Sequence, residues 1–156
     1  MIFASFGNSP VPFLRMAQAV DNYAKDSGED VVVQSGKTFY QFKYCTVQPF
    51  MDKETFLKNL KTCQVAILQG GWGGMSEASD MGVRTVVIPR INGVEHHHDQ
   101  EQLVRALEKE GVVLGCYDTD QLGSIILKAK TYKYKKIKRG DASKIISNFL
   151  NSLCGK

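Results

Sequence analysis

Residues 65–78 read Val65-Ala66-Ile67-Leu68-Gln69-Gly70-Gly71-Trp72-Gly73-Gly74-Met75-Ser76-Glu77-Ala78. An apolar, partly β-branched run gives way to a glycine cluster and then to a helical pattern. This is a strand feeding a helix through a loop whose backbone is free to approach a ligand closely. Four of the five positions from 70 to 74 are glycine, more than a turn needs merely to pack a helix on a strand. The helix expected over Met75–Met81, closed by Gly82, points unpaired N–H groups and a partial positive charge at whatever the loop holds. A diphosphate suits that arrangement. Glu77, one turn in, is placed to accept hydrogen bonds from ribose hydroxyls.

The same alternation extends in both directions. Ile2–Phe6, Asp30–Gln34, Lys43–Val47, Thr85–Ile88 and Val112–Cys116 join Val65–Gln69 as strands. Several are apolar on both faces, as strands covered by helices on both sides must be. Helices are expected over Phe13–Lys25, over Lys53–Leu60 behind an Asp52 N-cap, over Asp99–Glu110 before Gly111, and over Asp118–Lys130 and Asp141–Leu153. The order predicts an α/β fold with a doubly wound, mostly parallel sheet, Rossmann-like, as a single domain over residues 1–156. In such sheets ligands lie outside the carboxyl ends of the strands, which directs attention to the loops there.

One of those loops is Pro89-Arg90-Ile91-Asn92-Gly93-Val94-Glu95-His96-His97-His98-Asp99-Gln100. Arg90 suits a phosphate or Glu95, and His96 suits a phosphate oxygen. Three consecutive histidines invite a metal reading. Neighbours on an extended loop point in different directions, however, and no thiol or spaced second pair completes a tetrahedral site, so no metal is expected. Gly7 and Asn8 after the first strand, and Gln34 and Ser35 after the second, are candidate cleft lining; rigid turns and simple packing account for them equally well. Two lookalikes fail. A dinucleotide fingerprint laid on Gly71 and Gly73 has Ser76 at its sixth position, and the loop is not the first strand–helix turn. Gly36-Lys37-Thr38 imitates the end of a phosphate-binding P-loop, but the required earlier glycine is Val31.

Hydrophobic residues make up 43% and charged residues 23% of the 156, an ordinary globular balance. No apolar run nears the roughly 18 residues that read as a membrane-spanning helix. Ile2–Phe6 has no basic lead-in and is soon ended by Gly7 and Pro10, so it reads as a strand rather than a secretion signal, and the expected compartment is the cytoplasm. Cys45, Cys63, Cys116 and Cys154 form no C-x-x-C pair, which points to reduced thiols rather than zinc ligands or disulfides. The net charge of +4 is local. Seven basic residues and no acidic one lie between Lys128 and Arg139, leaving 13 basic against 16 acidic elsewhere.

Four segments, in order, carry a family resemblance. They are Ile2–Phe6 with Gly7-Asn8, Pro12-Phe13 and Arg15; Gln69 through Ala78, set against H-G-G-x-G-S-x-x-E-A; Pro89-Arg90; and Glu95-His96 with His98-Asp99-Gln100. Over about residues 1–115 the chain resembles the nucleotide-sugar-binding C-terminal half of GT-B glycosyltransferases of the family 28 type. More narrowly, it resembles the short free-standing (PssE-like) subunit that pairs with a membrane-associated partner to make polysaccharide repeat units or lipid-linked sugars. Two residues depart from the pattern: Gln69 replaces the family's histidine, and Gly74 its serine. The last cluster aligns only with a one-residue gap.

The resemblance implies that Gly71, Trp72, Gly73, Gly74 and Met75 hold the diphosphate of a UDP-sugar and that Glu77 holds the ribose. Asp99 and Gln100 would face hydroxyls of the donor sugar, with Arg90, Glu95 and His96 beside them. It implies no cofactor beyond this donor substrate. The general base of a GT-B enzyme usually comes from its other half. A membrane-associated, acceptor-binding partner subunit is therefore implied, with transfer of a hexose to a lipid-linked glycan acceptor. The departures at Gln69 and Gly74 also fit an accessory subunit that enhances a partner transferase without binding donor. Lys128–Arg139 offers an anionic membrane about 1 kcal/mol per basic residue. A solvated linker explains it as well, and nucleic acid, a third reading, is not the expected partner.

Overall fold

The computed structural model describes residues 1–137, together with Gly140, Ile146, Ser147 and Asn151. The helix expected over residues 141–153, and the last two basic residues of the 128–139 segment, lie outside the described residues. Six parallel strands form one sheet in the order β3-β2-β1-β4-β5-β6. They are β1 (Ile2–Ser5), β2 (Val31–Gln34), β3 (Thr46–Gln48), β4 (Val65–Gln69), β5 (Thr85–Ile88) and β6 (Leu114–Gly115). Between them run α1 (Leu14–Ser27), α2 (Lys53–Thr62), α3 (Trp72–Met81) and α4 (Gln100–Lys109). A 3-10 turn over Thr119–Gln121 leads into α5 (Leu122–Thr131). This is the doubly wound α/β sheet that the sequence predicts, and its order reverses between β1 and β4.

Alternation along the strands supplies both cores. From β1 and its exit, Ile2, Ala4 and Phe6 point to the side of α1 and α5, where Phe13, Met16, Val20 and Ile126 meet them. Phe3 points the other way, to Leu60 of α2 and Ala78 of α3, while Met75 and Val87 pack with Val104 and Leu107 of α4. Each large apolar side chain so buried contributes about 1.5–3 kcal/mol. The register sets Ser5 beside Gln34 and Leu68, and Gln69 beside Ile88, so the carboxyl ends of the central strands form one edge.

Three differences from the sequence expectation have physical causes. The strand expected over residues 43–47 begins at Thr46, because the buried carboxylate of Asp21 takes the backbone N–H groups of Lys43 and Tyr44 at 2.9–3.1 Å. α3 begins at Trp72 rather than Met75, so Gly73 and Gly74 form its first turn instead of a loop before it. Residues 132–137 are a pinned strap and not a solvated linker. Lys135 N–H donates to the Gly111 carbonyl at 2.9 Å, and Ile137 N–H to Ser79 Oγ at 2.8 Å. Tyr132, Tyr134 and Ile137 pack inward while Lys133, Lys135 and Lys136 face out. The anchors precede β5 and β6, which puts the strap at the amino-terminal edge of the sheet.

Candidate functional site

A cleft of about 390 Å³ opens at the carboxyl edge where the strand order reverses. Its floor is Ser5, Gln34, Leu68 and Gln69 from the strand ends; Gly7 and Asn8 close one side, and Lys53 and Phe56 of α2 another. The remaining wall is Gly71, Gly73, Gly74 and Glu77. Gly71 is the N-cap of α3 in an extended conformation, and among the described residues no side-chain cap hydrogen bond closes this helix. The next N–H groups have no partner within the helix and carry the positive end of its dipole into the cleft.

The glycines here serve two purposes. A β-carbon on Gly71 would stand 2.5 Å from Nε2 of Gln69, and one on Gly70 would stand 2.9 Å from Gln100. Those two positions are glycine because side chains already fill the space. Among the described residues, a β-carbon on Gly73 meets nothing within 4 Å and one on Gly74 only a methyl of Leu68 at 3.7 Å. Packing does not require glycine there, and glycine inside a helix costs about 1 kcal/mol relative to alanine. What their bareness does is leave the mouth of the helix open.

Of the residues singled out from the sequence, Gly71, Gly73, Gly74, Glu77, Gly7, Asn8 and Gln34 meet at this cleft. Among the described residues Glu77 has no ion-pair partner. The others stand elsewhere. Ser35 lines a separate groove beside Phe39 and Pro49, and its carbonyl accepts from Thr38 N–H at 3.0 Å. Trp72 is 49% exposed on the first turn of α3, outside the cleft lining, and the Met75 side chain is wholly in the core. Asp99 caps α4, accepting from Gln102 N–H at 3.1 Å, and faces a second hollow of about 270 Å³. His96 accepts the His98 N–H on Nδ1 at 3.0 Å.

Arg90 is 2% exposed, contributes to the wall of the same hollow as Asp99, and does not line the cleft at α3. Its guanidinium donates to the carbonyls of Phe6 (3.2 Å), Val11 (2.9 Å) and Glu95 (3.4 Å) and to Oε1 of Gln69 (3.2 Å). It lies 4.3 Å over the ring of Phe13. Burial depresses its pKa, the Glu95 charge opposing that shift. Arg90 thus ties together the loops after β1, β4 and β5. The Glu95 carboxylate is engaged beside it, accepting from Arg15 at 2.9 Å and from Ile91 N–H at 2.9 Å. Gln100 is 6% exposed and accepts the Arg90 N–H at 3.0 Å.

Sequence reading missed Lys53, Phe56, Ser5 and Leu68 as lining, and treated Gln69 only as a departure from a pattern. Lys53 and Phe56 had a usable signal: a spacing of three, behind the Asp52 N-cap, sets both on one face of the first turn of α2. Among the described residues, no group of three or more His, Cys, Asp or Glu side chains is arranged to hold a metal ion. None of the described helices is long and apolar enough to cross a membrane.

No protein-family model matches the chain, and no curated protein matches it in sequence. Solved structures do share its fold. The glycotransferase of kitacinnamycin superposes with a TM-score of 0.63 at 18% identity, over 83% of this chain and 34% of that one. Glycosyltransferase VinC, solved in complex with dTDP, gives 0.57 at 16% identity, over 83% and 33%. MurG of Acinetobacter baumannii gives 0.57 at 15% identity, over 97% and 49%. These are GT-B glycosyltransferases, and this chain has the architecture of half of that fold. It spans about a third to a half of their length.

Proposed function

We propose that this chain is the nucleotide-sugar-binding part of a GT-B-type glycosyltransferase, holding a nucleoside diphosphate sugar in the cleft at the amino terminus of α3. The observation that carries this reading is the uncapped first turn of α3, with two glycines that packing does not need, at the reversal point of the sheet. The diphosphate lies against the N–H groups of Trp72, Gly73 and Gly74, and Glu77 takes the ribose hydroxyls. Two of the structural neighbours, VinC and SpnG, are solved with thymidine diphosphate, which agrees with a nucleoside diphosphate as the class of ligand. The family 28 resemblance favours uridine. As the sugar leaves, the helix dipole and N–H groups stabilise the departing diphosphate, and Lys53 at the rim adds a positive charge.

The acceptor and the general base come from a second, membrane-associated subunit in this reading, as in the PssE-like arrangement. An apolar rim supports such a partner. Leu14, Phe39, Phe50, Trp72, Ile91 and Val94 are each about half exposed or more, and each follows the carboxyl end of a strand from β1 to β5. The lysine strap faces the opposite edge. A lipid-linked acceptor therefore reaches the cleft through the partner, whether or not Lys128–Arg139 touches anionic lipid.

Calorimetric titration with UDP, dTDP and UDP-sugars, alone and with the candidate partner, tests the reading. Saturable binding supports it. No binding in either setting overturns it and leaves the accessory subunit that enhances a partner without holding donor.

A further inference from the structure

The side-chain amide of Gln69 reaches the cleft between two glycines, and its orientation is imposed from behind. Arg90 brings only donors to this place. Its backbone N–H meets Oε1 of Gln100 at 3.0 Å, and its Nε–H meets Oε1 of Gln69 at 3.2 Å. With its oxygen so occupied, Gln100 presents its NH2 on the other side, where Nε2 donates to the same Gln69 oxygen at 3.2 Å. Two donors converging on one oxygen leave the Gln69 amide a single orientation. Its NH2 therefore lies on the side of Gly7 and Gly71. Nε2 comes within 2.5 Å of where either glycine would carry a β-carbon. Among the described residues this NH2 meets no acceptor, and Gln69 lines the cleft.

We infer that Arg90 and Gln100 are positioning residues that act through Gln69, holding its amide so that the NH2 group donates to an oxygen of the bound nucleoside diphosphate. The inference rests on the proposed reading of the cleft. Neither Arg90 nor Gln100 lines the cleft, and both are almost completely buried, so neither touches the ligand itself. Their work is directional. A free glutamine amide turns over and can present its carbonyl oxygen to an anion, which repels it. The locked amide always presents hydrogens, beside N–H groups of the α3 amino terminus that point the same way. An amide also does not titrate, so this donor is the same on either side of neutral pH.

A double-mutant cycle separates action through Gln69 from direct contact or general damage. Gln100→Met keeps the side-chain volume but removes both hydrogen bonds, and Gln69→Ala removes the donor. UDP dissociation constants are measured for the wild type, the two single variants and the double variant, with thermal melts confirming that each is folded. Each single change is expected to weaken binding by about tenfold, the worth of one hydrogen bond to a charged group. The double variant is expected to bind no more weakly than Gln69→Ala alone. If Gln100→Met weakens binding by the same factor in both backgrounds, the relay is overturned. A second readout needs no ligand. The side-chain NH2 signals of Gln69 in a 1H–15N spectrum, identified by their loss in Gln69→Ala, should be displaced from the free-glutamine position and move toward it in Gln100→Met, where Arg90 is the one donor left on the Gln69 oxygen. Signals that do not respond to Gln100→Met overturn the lock. A wild-type chain that shows the lock but binds no UDP overturns the proposed function, and with it the role of the amide toward ligand.

Discussion

Nε2 of Gln69 occupies the space that a side chain on Gly7 would need: a β-carbon built there stands 2.5 Å from it. Gly7 also has φ of 71°, where L side chains are strained. One glycine thus lets the chain turn after β1 and gives the amide at the end of β4 its place. Gly7→Ala is expected to cost about 1–3 kcal/mol in stability through strain and displacement. Nucleotide binding should weaken as well, because the amide must move. Denaturant unfolding together with titration checks this; full stability with unaltered binding would refute it.

Gly73→Val is expected to behave differently. Among the described residues nothing stands within 4 Å of that β-carbon, so the chain should fold normally. The new side chain fills the mouth of α3. The expected outcome is a melting temperature close to wild type with UDP binding reduced by at least about a hundredfold, close to 3 kcal/mol. Glu77→Ala should also leave the fold intact and weaken binding less, because on the proposed reading it removes only the contact to the ribose.

Arg90 should be worth more to the fold than to the ligand. Removing its guanidinium leaves the carbonyls of Phe6 and Val11 without this donor, and Oε1 of Gln69 with that of Gln100 alone. Arg90→Met is expected to destabilise the chain by about 3 kcal/mol or more. Arg90→Lys should fare little better, since one ammonium cannot reach acceptors held by a planar fork. Chemical denaturation measures both; a loss under about 1 kcal/mol for Arg90→Met would contradict the role given to it.

Acid stability should depend on Glu29. Its carboxylate accepts from Lys130 and from the Tyr23 hydroxyl, and the Lys130 hydrogen bond is the main cause that lowers its pKa. The native state therefore binds that proton less readily than the unfolded chain. The stabilisation is present above the ordinary glutamate range and is lost as pH falls through the depressed native value. Glu29→Gln should flatten the decline in stability over that acid window and lower stability at neutral pH. Equal acid profiles for the two proteins would exclude the effect.

Burial pushes the thiols of Cys63 and Cys116 up to about 11 and that of Cys45 up to about 12. At pH 8 they are therefore almost wholly protonated in the native chain. In a Cys154→Ser background, alkylation by iodoacetamide should run roughly a hundredfold more slowly in buffer than in urea. Equal rates would mean that these thiols are not held as the fold holds them.

Much of the fold is legible in the sequence because buried parallel strands are short apolar runs between turn residues. All six strands are visible in that way, and Asp52, Gly82 and Gly111 mark helix ends correctly. The edge strand slipped because a side chain 22 positions away, Asp21, claims the Lys43 N–H. The glycine cluster at the mouth of α3 is equally legible. Arg90 and Gln100 are not, since residue type says nothing of burial. Arg90 reads as a partner for a phosphate or for Glu95, yet its partners include the carbonyl of Phe6, 84 positions away. Only the assembled sheet reveals that these two polar side chains face inward, while the plainer Gln69 faces the cleft.

The central claim is that a nucleoside diphosphate sits at the amino terminus of α3, and mapping backbone and side-chain amide shifts of the labelled chain during UDP titration tests it most directly. The account predicts saturable shifts concentrated at Gly71 through Met75 and at the Gln69 side chain, and absent from the Gly73→Val variant. Shifts centred instead on the hollow beside Asp99 and Asn92, or no shifts at saturating UDP, would contradict it.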